Sequence, residues 1–459
     1  METKDSEIVI IGAGLTGLSL AHFLKKSGRS PLILEQSDKP GGVINTVSEN
    51  GFIFETGPNT GVLSSFELVT IFEDLKDKCS ISIANKGAEK RYVMKNGKWQ
   101  ALPSGLFSAV STPLFTLKDK FRILGEPFRK PGSDPDESVA DMVVRRLGRS
   151  YLDYAVDPFI SGIYAGDPSR LVTRYALPKL YALEHNYGSF IKGTIKKSRE
   201  PKSEDDKKVT KKVFSADGGL GNLIKALADD TGSSNIVCGA KNIRIETDGN
   251  GFIVNYLTHD NQTVSIKTNK VVSTIGGYNL PELLPFLPSE LLSPMLGLEY
   301  AGVVQAAVGF KKWDGFPLDA FGALVPTKEK RNILGILFPS AIFKGRAPEG
   351  GALLSVFLGG IKNSGIIKMT DDQIIGIVLG EIESTLNNSN KPDLLKIYRY
   401  THAIPQYEKS SGERLDAINT IEKKFPGLIL AGNIRDGIGM ADRVKQAKKI
   451  ADSLIDSRL

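Results

Sequence analysis

Two cysteines and four histidines in 459 residues leave little material for metal or disulfide chemistry. Cys79 and Cys238 lie far apart and form no Cys-x-x-Cys arrangement, so neither a disulfide framework nor a thiolate cluster is encoded, and a reducing compartment fits. His22, His185, His259 and His402 make no helical His-x-x-x-His pair and have no clustered carboxylates, so no metal is expected. His22, one helical turn from Leu18, is expected to pack. Long apolar runs are also missing. The longest, such as Ala301 to Phe310, fall well short of the roughly 20 residues a membrane-spanning helix needs. Met1 to Glu7 is polar and leads straight into a strand, with no room for a signal or transit peptide, so the cytoplasm is the expected address.

Charge of one sign is scarce outside a single stretch. The formal net charge is +7, but Lys196 to Lys212 holds eight basic and four acidic residues and so supplies +4 of it. That run contains Pro201 and no aromatic residue, and reads as a solvated loop rather than a nucleic-acid surface. The remainder, 41% hydrophobic and 24% charged, is ordinary globular composition, with length for roughly two to three domains.

What is present begins at once. Glu7 to Ile11 is a mostly apolar run of the kind buried in parallel sheets, and it leads into Gly12-Ala13-Gly14-Leu15-Thr16-Gly17. A helix follows, with Leu15, Leu18, Ala21, Phe23 and Leu24 on its apolar side, stopped by Gly28 before a second strand at Pro31 to Leu34. In such a unit Gly12 makes the tight turn, Gly14 admits a pyrophosphate to the backbone, and Gly17 lets helix and sheet approach. Gly12, Gly14, Leu15, Thr16 and Gly17 are therefore candidate cofactor-binding residues. Glu35 ends the second strand where an acid accepts hydrogen bonds from an adenosine ribose and repels a 2'-phosphate. This pattern alone leaves NAD and FAD both open.

At the other end, Gly427 to Ala431 reads as a buried strand, followed by a turn through Gly432, Asn433, Gly437 and Gly439. A last helix carries Met440, Val444, Ala447, Ala451 and Leu454 on one face. Its N-terminus would favour an electron-rich group; a plain packing helix reads equally well. Mid-chain, Phe214 to Gly219 precedes a helix, and Asn235 to Ile245 reads as one strand. Lys90 to Lys95 and Lys98 to Leu102 flank Asn96-Gly97, a strong hairpin signal, and alternation sets Arg91, Val93 and Lys95 on one face. A hairpin arginine is ordinarily a surface residue. Aimed into an apolar cleft, it would clamp a carboxylate.

Pro40 to Thr46 with Gly51-Phe52 and Glu55 to Asn59 resembles the second glycine motif of the flavin amine oxidase and porphyrinogen oxidase superfamily, which lines the phosphate and flavin end of FAD. The chain has Val43 where a basic residue is frequent. The positions carried over are Gly41, Gly42, Gly57 and Pro58. The resemblance adds Gly432, Asn433, Gly439 and Met440 as flavin contacts and Ile243 as a backbone adenine contact, and it implies FAD as cofactor.

Five further stretches, in order, are similar to the protoporphyrinogen oxidase family: Glu89 to Tyr92, Asp157 to Pro168, Phe321 to Pro326, Leu334 to Phe338 and Val356 to Gly360. The resemblance implies that Arg91 meets a substrate propionate, that Leu324, Leu337 and Phe357 sandwich the macrocycle, and that Gly162 and Ala165 keep the pocket open. On their own, such apolar residues read as strand core. The implied activity is oxidation of protoporphyrinogen IX to protoporphyrin IX in haem biosynthesis, by three hydride transfers to flavin N5 with dioxygen as acceptor. No catalytic side chain beyond the flavin is expected. Coproporphyrinogen III oxidation and a non-catalytic FAD-fold carrier remain alternatives.

The implied architecture is α/β: a discontinuous Rossmann-like FAD-binding domain (1–86, 213–280 and 410–459), an inserted α+β substrate domain (87–105 and 281–409) and a mainly helical lobe (106–212). The lobe is expected to include helices over Ser138 to Leu147 and Arg149 to Val156. It implies peripheral contact with the cytoplasmic side of the inner membrane, for which Leu106, Phe107, Leu114 and Phe115 are the candidate apolar contacts; on their own these four residues read more readily as ordinary packing. The resemblance also allows a homodimer and hand-over of product to the next haem-pathway enzyme.

Overall fold

A computed structural model describes residues 2–103, 108, 111–201, 203–249 and 251–456. Its five-stranded sheet is parallel throughout, in the order Ile236–Val237, Leu32–Leu34, Ile8–Ile11, Lys270–Ser273, Leu428–Leu430. Ile8, Val9, Ile10 and Ile11 are all buried, as a strand covered on both faces requires. One cover is the helix Leu15–Lys26, which packs against the helices Leu220–Thr231 and Met440–Asp456. The five apolar residues expected to face inward from the last helix are all buried.

Three expectations change here. The strand expected over 235–245 divides: Ile236–Val237 joins the parallel sheet, whereas Lys241–Thr247 belongs to a separate four-stranded sheet. The polar start is itself a strand, Glu2–Asp5, pairing with Thr263–Thr268 in that second sheet. Main-chain bonds drive this pairing, and an edge strand needs no apolar alternation. Within the basic run, Ser203 caps a short helix, Glu204–Lys208, through a capping box with Asp206.

A seven-stranded sheet is ordered Leu394–Pro405, Tyr300–Phe310, Ala352–Gly359, Ile333–Leu337, Gly322–Leu324, Arg91–Lys95, Lys98–Ala101. It is antiparallel except between Gly322–Leu324 and Arg91–Lys95. The hairpin turn at Asn96-Gly97 has φ values of 53° and 71°, the doubly left-handed geometry that this dipeptide favours. One face of the sheet is sealed by the helix Asp371–Leu386 through Ile374, Val378, Ile382 and Leu386. The other face meets the segment 52–59 and the helical lobe.

In the lobe, Ser138 caps the helix Val139–Arg146. Arg149 to Tyr164 is one helical run interrupted by a π turn at Leu152–Val156, directly before Asp157-Pro158. Single π turns of this kind are frequent at functional sites. Arg146 and Glu126 form a fully buried ion pair, and Glu126 also accepts from Ser189 Oγ and from the Phe190 and Ile191 amides, closing the start of the helix Phe190–Ser198. Leu114 and Phe115 are buried against Val139, Tyr151 and Ile160, so they pack, and their candidate role as surface contacts falls away. Leu106 and Phe107 lie outside the described residues.

Candidate active site

The glycine loop is shaped by what a side chain would meet. A Cβ on Gly17 would stand 2.0 Å from the carbonyl oxygen of Gly12, and one on Gly12 would stand 2.7 Å from Thr274 Oγ1. Around Gly14 there is open space within 4 Å. Two glycines thus close the turn while the third leaves its backbone accessible, the shape a pyrophosphate needs at a helix N-terminus. The helix Leu15–Lys26 has no side-chain cap, so its first N–H groups are free for such a ligand.

Glu35 is nearly buried. Its Oε2 accepts from Ala13 N at 2.7 Å and its Oε1 from Ser37 N at 2.9 Å, leaving further lone pairs on both oxygens. The backbone of 237–240 runs alongside: Glu35 N donates to Val237 O, and Ala240 N donates to Glu35 O. Ile243 lies three residues further on, in the other sheet. The chain beside Glu35 is therefore 237–240, because the strand containing Ile243 leaves the parallel layer.

The second glycine motif meets the first. A Cβ on Gly42 would touch Gly14 Cα at 3.4 Å, and Gly57 packs so tightly on Val43 that a Cβ there would lie 2.0 Å from the Val43 carbonyl oxygen. Gly432 lies against Thr274, just beyond the strand Lys270–Ser273 of the same layer. The C-terminal helix opens with Met440, and Asp442 Oδ2 accepts from Gly439 N at 3.1 Å. Gly12 to Gly17, Gly41 to Gly57 and the Gly432 turn thus gather along the C-terminal edge of the parallel strands, where open α/β sheets hold ligands.

The substrate candidates come together through strand register. Arg91, Gly322, Leu337, Ser355 and Ala307 form one row across the seven-stranded sheet; Val93, Leu324, Gly335, Phe357 and Gln305 form the next. Directly opposed residues share a face, so Arg91, Leu324, Leu337 and Phe357 point to one side. A bulge between Ile333 and Gly335 inserts Leu334 into this wall, beside Phe357 and Ala165. From the facing helix Asp157–Tyr164, Gly162 presses on Leu324: a Cβ would stand 2.4 Å from Leu324 Cδ2. Ala165 ends that helix in the left-handed region at φ 48°. The Arg91 guanidinium is exposed at the rim, 5.3 Å over the Phe321 ring, with no ion-pair partner among the described residues.

Other polar contacts behind this wall carry no local signal in the sequence. Ser355 Oγ donates to Asn59 Oδ1 at 2.7 Å, Gln305 Nε2 to Glu55 O at 2.8 Å, and Tyr400 OH to Thr56 O, so this face of the seven-stranded sheet is bolted to the second glycine motif. Arg346 Nη1 pairs with Glu55 Oε1 at 3.0 Å and its Nη2 donates to Ser215 Oγ at 2.8 Å, all in the interior. Glu55 also accepts from Leu220 N and Thr46 Oγ1. Burial raises the Glu55 pKa, against the lowering effect of Thr46 and Arg346. At the end of the strands away from Arg91, a cavity of about 250 Å³ is lined by Ala165, Leu334, Asn332, Lys330, Lys362 and Ser161, whose buried hydroxyl has no partner.

A parallel nucleotide layer with a glycine cradle, an acid at the second strand and an apolar wall bolted to it defines a dinucleotide-dependent enzyme class. Residues 15–455 match the family profile of flavin containing amine oxidoreductases. Protoporphyrinogen oxidase 1, chloroplastic, of Arabidopsis thaliana is 31% identical, with 98% of this chain and 88% of that protein covered. Coproporphyrinogen III oxidase of Bacillus subtilis is 26% identical over 99% of both chains. A solved structure assigned as a protoporphyrinogen oxidase, from Exiguobacterium sp. 255-15, superposes with a TM-score of 0.82 at 22% identity, covering 99% of this chain and 100% of that one. The chain belongs to the flavin containing amine oxidoreductase family, within its protoporphyrinogen oxidase members, and is an FAD-dependent oxidoreductase.

Proposed function

We propose that the chain oxidises protoporphyrinogen IX to protoporphyrin IX in the cleft between its two main sheets, with dioxygen as final acceptor and hydrogen peroxide as by-product. The observation that carries this reading is the cross-strand arrangement that sets Arg91 at the rim of a wall of Leu324, Leu337, Leu334 and Phe357, opposite Gly162 and Ala165. A flat apolar macrocycle fits such walls, and a propionate fits the unpaired guanidinium. FAD would be held by Gly12 to Gly17, Glu35, Gly41, Gly42, Gly57, Pro58 and the Gly432 to Met440 turn, within the region formed by 1–86, 213–280 and 410–459. Bound there, FAD supplies a two-electron acceptor for a hydridic C–H bond. The protein then has to orient substrate and exclude water. Three rounds complete the conjugated ring.

Coproporphyrinogen III is the second reading. It carries carboxylates around the whole macrocycle, and the cavity at the end away from Arg91 offers Lys330, Asn332 and the Ser161 hydroxyl. The Bacillus subtilis relative supports it as well. A non-catalytic carrier fits less well, since it has no need for the tightly formed glycine cradle.

Peripheral membrane contact is part of the proposal, moved to a different surface. The helix Leu117–Leu124 presents Leu117, Phe121 and Leu124 outward at 69%, 69% and 67% exposure, with Phe128 at 86%. Lys192 Nζ lies 5.6 Å over the Phe128 ring, and Lys118 follows Leu117 in the same helix. Apolar residues on one face with cations beside them suit an anionic bilayer surface. Among the described residues no helix is long and apolar enough to cross a membrane.

The test is to purify the chain, record a flavin spectrum, and follow porphyrin fluorescence from protoporphyrinogen and coproporphyrinogen in parallel. Faster product formation from protoporphyrinogen is expected. A flavin-containing protein that oxidises neither overturns the substrate reading, and a colourless protein removes its basis.

A further inference from the structure

The turn from Gly432 to Gly437 is held from behind by side chains of three separate elements. Tyr407 OH lies 2.9 Å from the carbonyl oxygens of Asn433 and Gly437. Arg414, in the helix Ser411–Lys424, donates from Nε to Ile434 O at 3.0 Å. From the C-terminal helix, Arg443 Nη2 donates to Arg435 O at 2.8 Å and its Nη1 to Gln446 Oε1 at 2.9 Å. Gln446 Oε1 accepts from Gly432 N at 2.9 Å, and its Nε2 donates to Asp436 Oδ2 at 2.8 Å. Ordinary turns are satisfied by their own backbone and by water. Here the carbonyls of residues 433, 434, 435 and 437 are each bound by a side chain.

Two of the groups holding the turn are guanidiniums, with 1% and 8% exposure for Arg414 and Arg443, and among the described residues neither is ion-paired with a carboxylate. Arg414 Nη1 and Arg443 Nε have no hydrogen-bond partner. Asp436, Asp442, Arg435 and Tyr407 are the charged or titratable groups around Arg443; Tyr407, Tyr300 and Tyr175 surround Arg414. Burial lowers the pKa of both guanidiniums, yet arginine stays charged in proteins. A buried cation without a paired anion is expensive, and carbonyl dipoles offset only part of that cost. Two such cations behind one turn become favourable when negative charge develops on its other side.

The geometry points to Arg414 and Arg443 as positioning residues for FAD, which fix the Gly432 turn and favour the anionic two-electron-reduced flavin over the oxidised form. This rests on the proposed placement of the flavin ring beside that turn. The equilibrium is balanced: oxidised flavin takes up two electrons and one proton and gains one negative charge, with dithionite or a reference dye as the electron source in vitro.

The measurement is the midpoint potential of FAD in the full-length holoprotein. Arg443→Met should lower the reduced-to-oxidised ratio at a given potential at least tenfold, a shift of about 30 mV for a two-electron couple, whereas Arg443→Lys should stay within about threefold of the original. Arg414→Met should shift it in the same direction, and stands in if Arg443→Met does not fold. Gln446→Ala keeps both charges but loosens the turn, so it should speed FAD release and leave the potential in place. An unchanged potential in the methionine variants, or an equal shift in Gln446→Ala, overturns the charge role. If Gln446→Ala alters neither FAD release nor the flavin absorption bands, the ring does not lie beside this turn, and the placement fails while the cofactor assignment stands.

Discussion

The cleft has two ends built on different chemical terms. On the nucleotide side the working surface is backbone: an open Gly14, a turn closed by Gly12 and Gly17, and a helix N-terminus without a side-chain cap. On the proposed substrate side it is side chains, brought into two rows by strands far apart in the sequence. A backbone surface tolerates almost no added atom, because main chain cannot step aside. A side-chain surface can lose or gain a methyl and repack, but loses a specific partner when a charge is removed. The two ends should therefore fail differently, and the bolts between them should fail worst.

Arg346→Met is expected to have the largest effect. It strands the Glu55 carboxylate in the interior, and breaking a buried ion pair from one side costs about 3–5 kcal/mol. Glu55 has a raised pKa in the folded state. Its protonated form therefore supports folding below the unfolded value of 4.5, and that support is lost as pH rises through the folded pKa. Removing Arg346 should raise that pKa further, so the stability gap between variant and parent should widen from pH 4 upward, read by denaturant titration at several pH values. A gap independent of pH would mean that Glu55 is not the group left unpaired.

Gly17→Ala comes next, since its Cβ would meet main chain at 2.0 Å. Overpacking of this kind costs roughly 1–3 kcal/mol. The protein should purify with little or no flavin, measured as the ratio of flavin to protein absorbance. Full flavin content would break the contrast between the two ends.

Arg91→Ala acts on the side-chain end. Losing a charge-assisted hydrogen bond of about 1.5–3 kcal/mol should raise KM for porphyrinogen roughly tenfold to a hundredfold, with flavin content and Tm unaltered. An unchanged KM would remove the propionate clamp and leave the FAD assignment standing. The smallest effect is expected far from both ends. Replacing Leu117 and Phe121 by serine should alter stability by no more than about 0.5 kcal/mol and leave turnover in detergent untouched. Cosedimentation with anionic vesicles should fall several-fold. Equal cosedimentation would place membrane contact elsewhere.

The same contrast explains what could be read in advance. The glycine loop, the Asn96-Gly97 hairpin and the apolar face of the last helix depend on local geometry or a short period, and each lies where the pattern puts it. Register across seven strands has no such signature, so Arg91, Leu324, Leu337 and Phe357 rest on family resemblance. Long-range polar partners were invisible. His22 was expected only to pack, yet its Nδ1 lies 2.8 Å from Asp230 and its Nε2 3.1 Å from Asp74, tying three helices together. Arg346 sits in a loop nearly 300 positions from Glu55. The strand expected over 235–245 failed because two short segments of similar composition join different sheets. Apolar character alone leaves Leu114 and Phe115 open between lobe core and surface; they pack, while the apolar residues left exposed are Leu117, Phe121 and Leu124 of the neighbouring helix.

The most direct test mixes oxygen-free holoprotein with protoporphyrinogen in a stopped-flow cell, following the flavin band and porphyrin fluorescence together, for the parent chain and Arg91→Ala. Bleaching of the bound flavin at a rate that saturates with substrate, with Arg91→Ala needing at least roughly tenfold more substrate to reach half that rate, is the predicted result. A flavin that stays oxidised with both protoporphyrinogen and coproporphyrinogen, or an Arg91→Ala curve that overlays the parent, would contradict it.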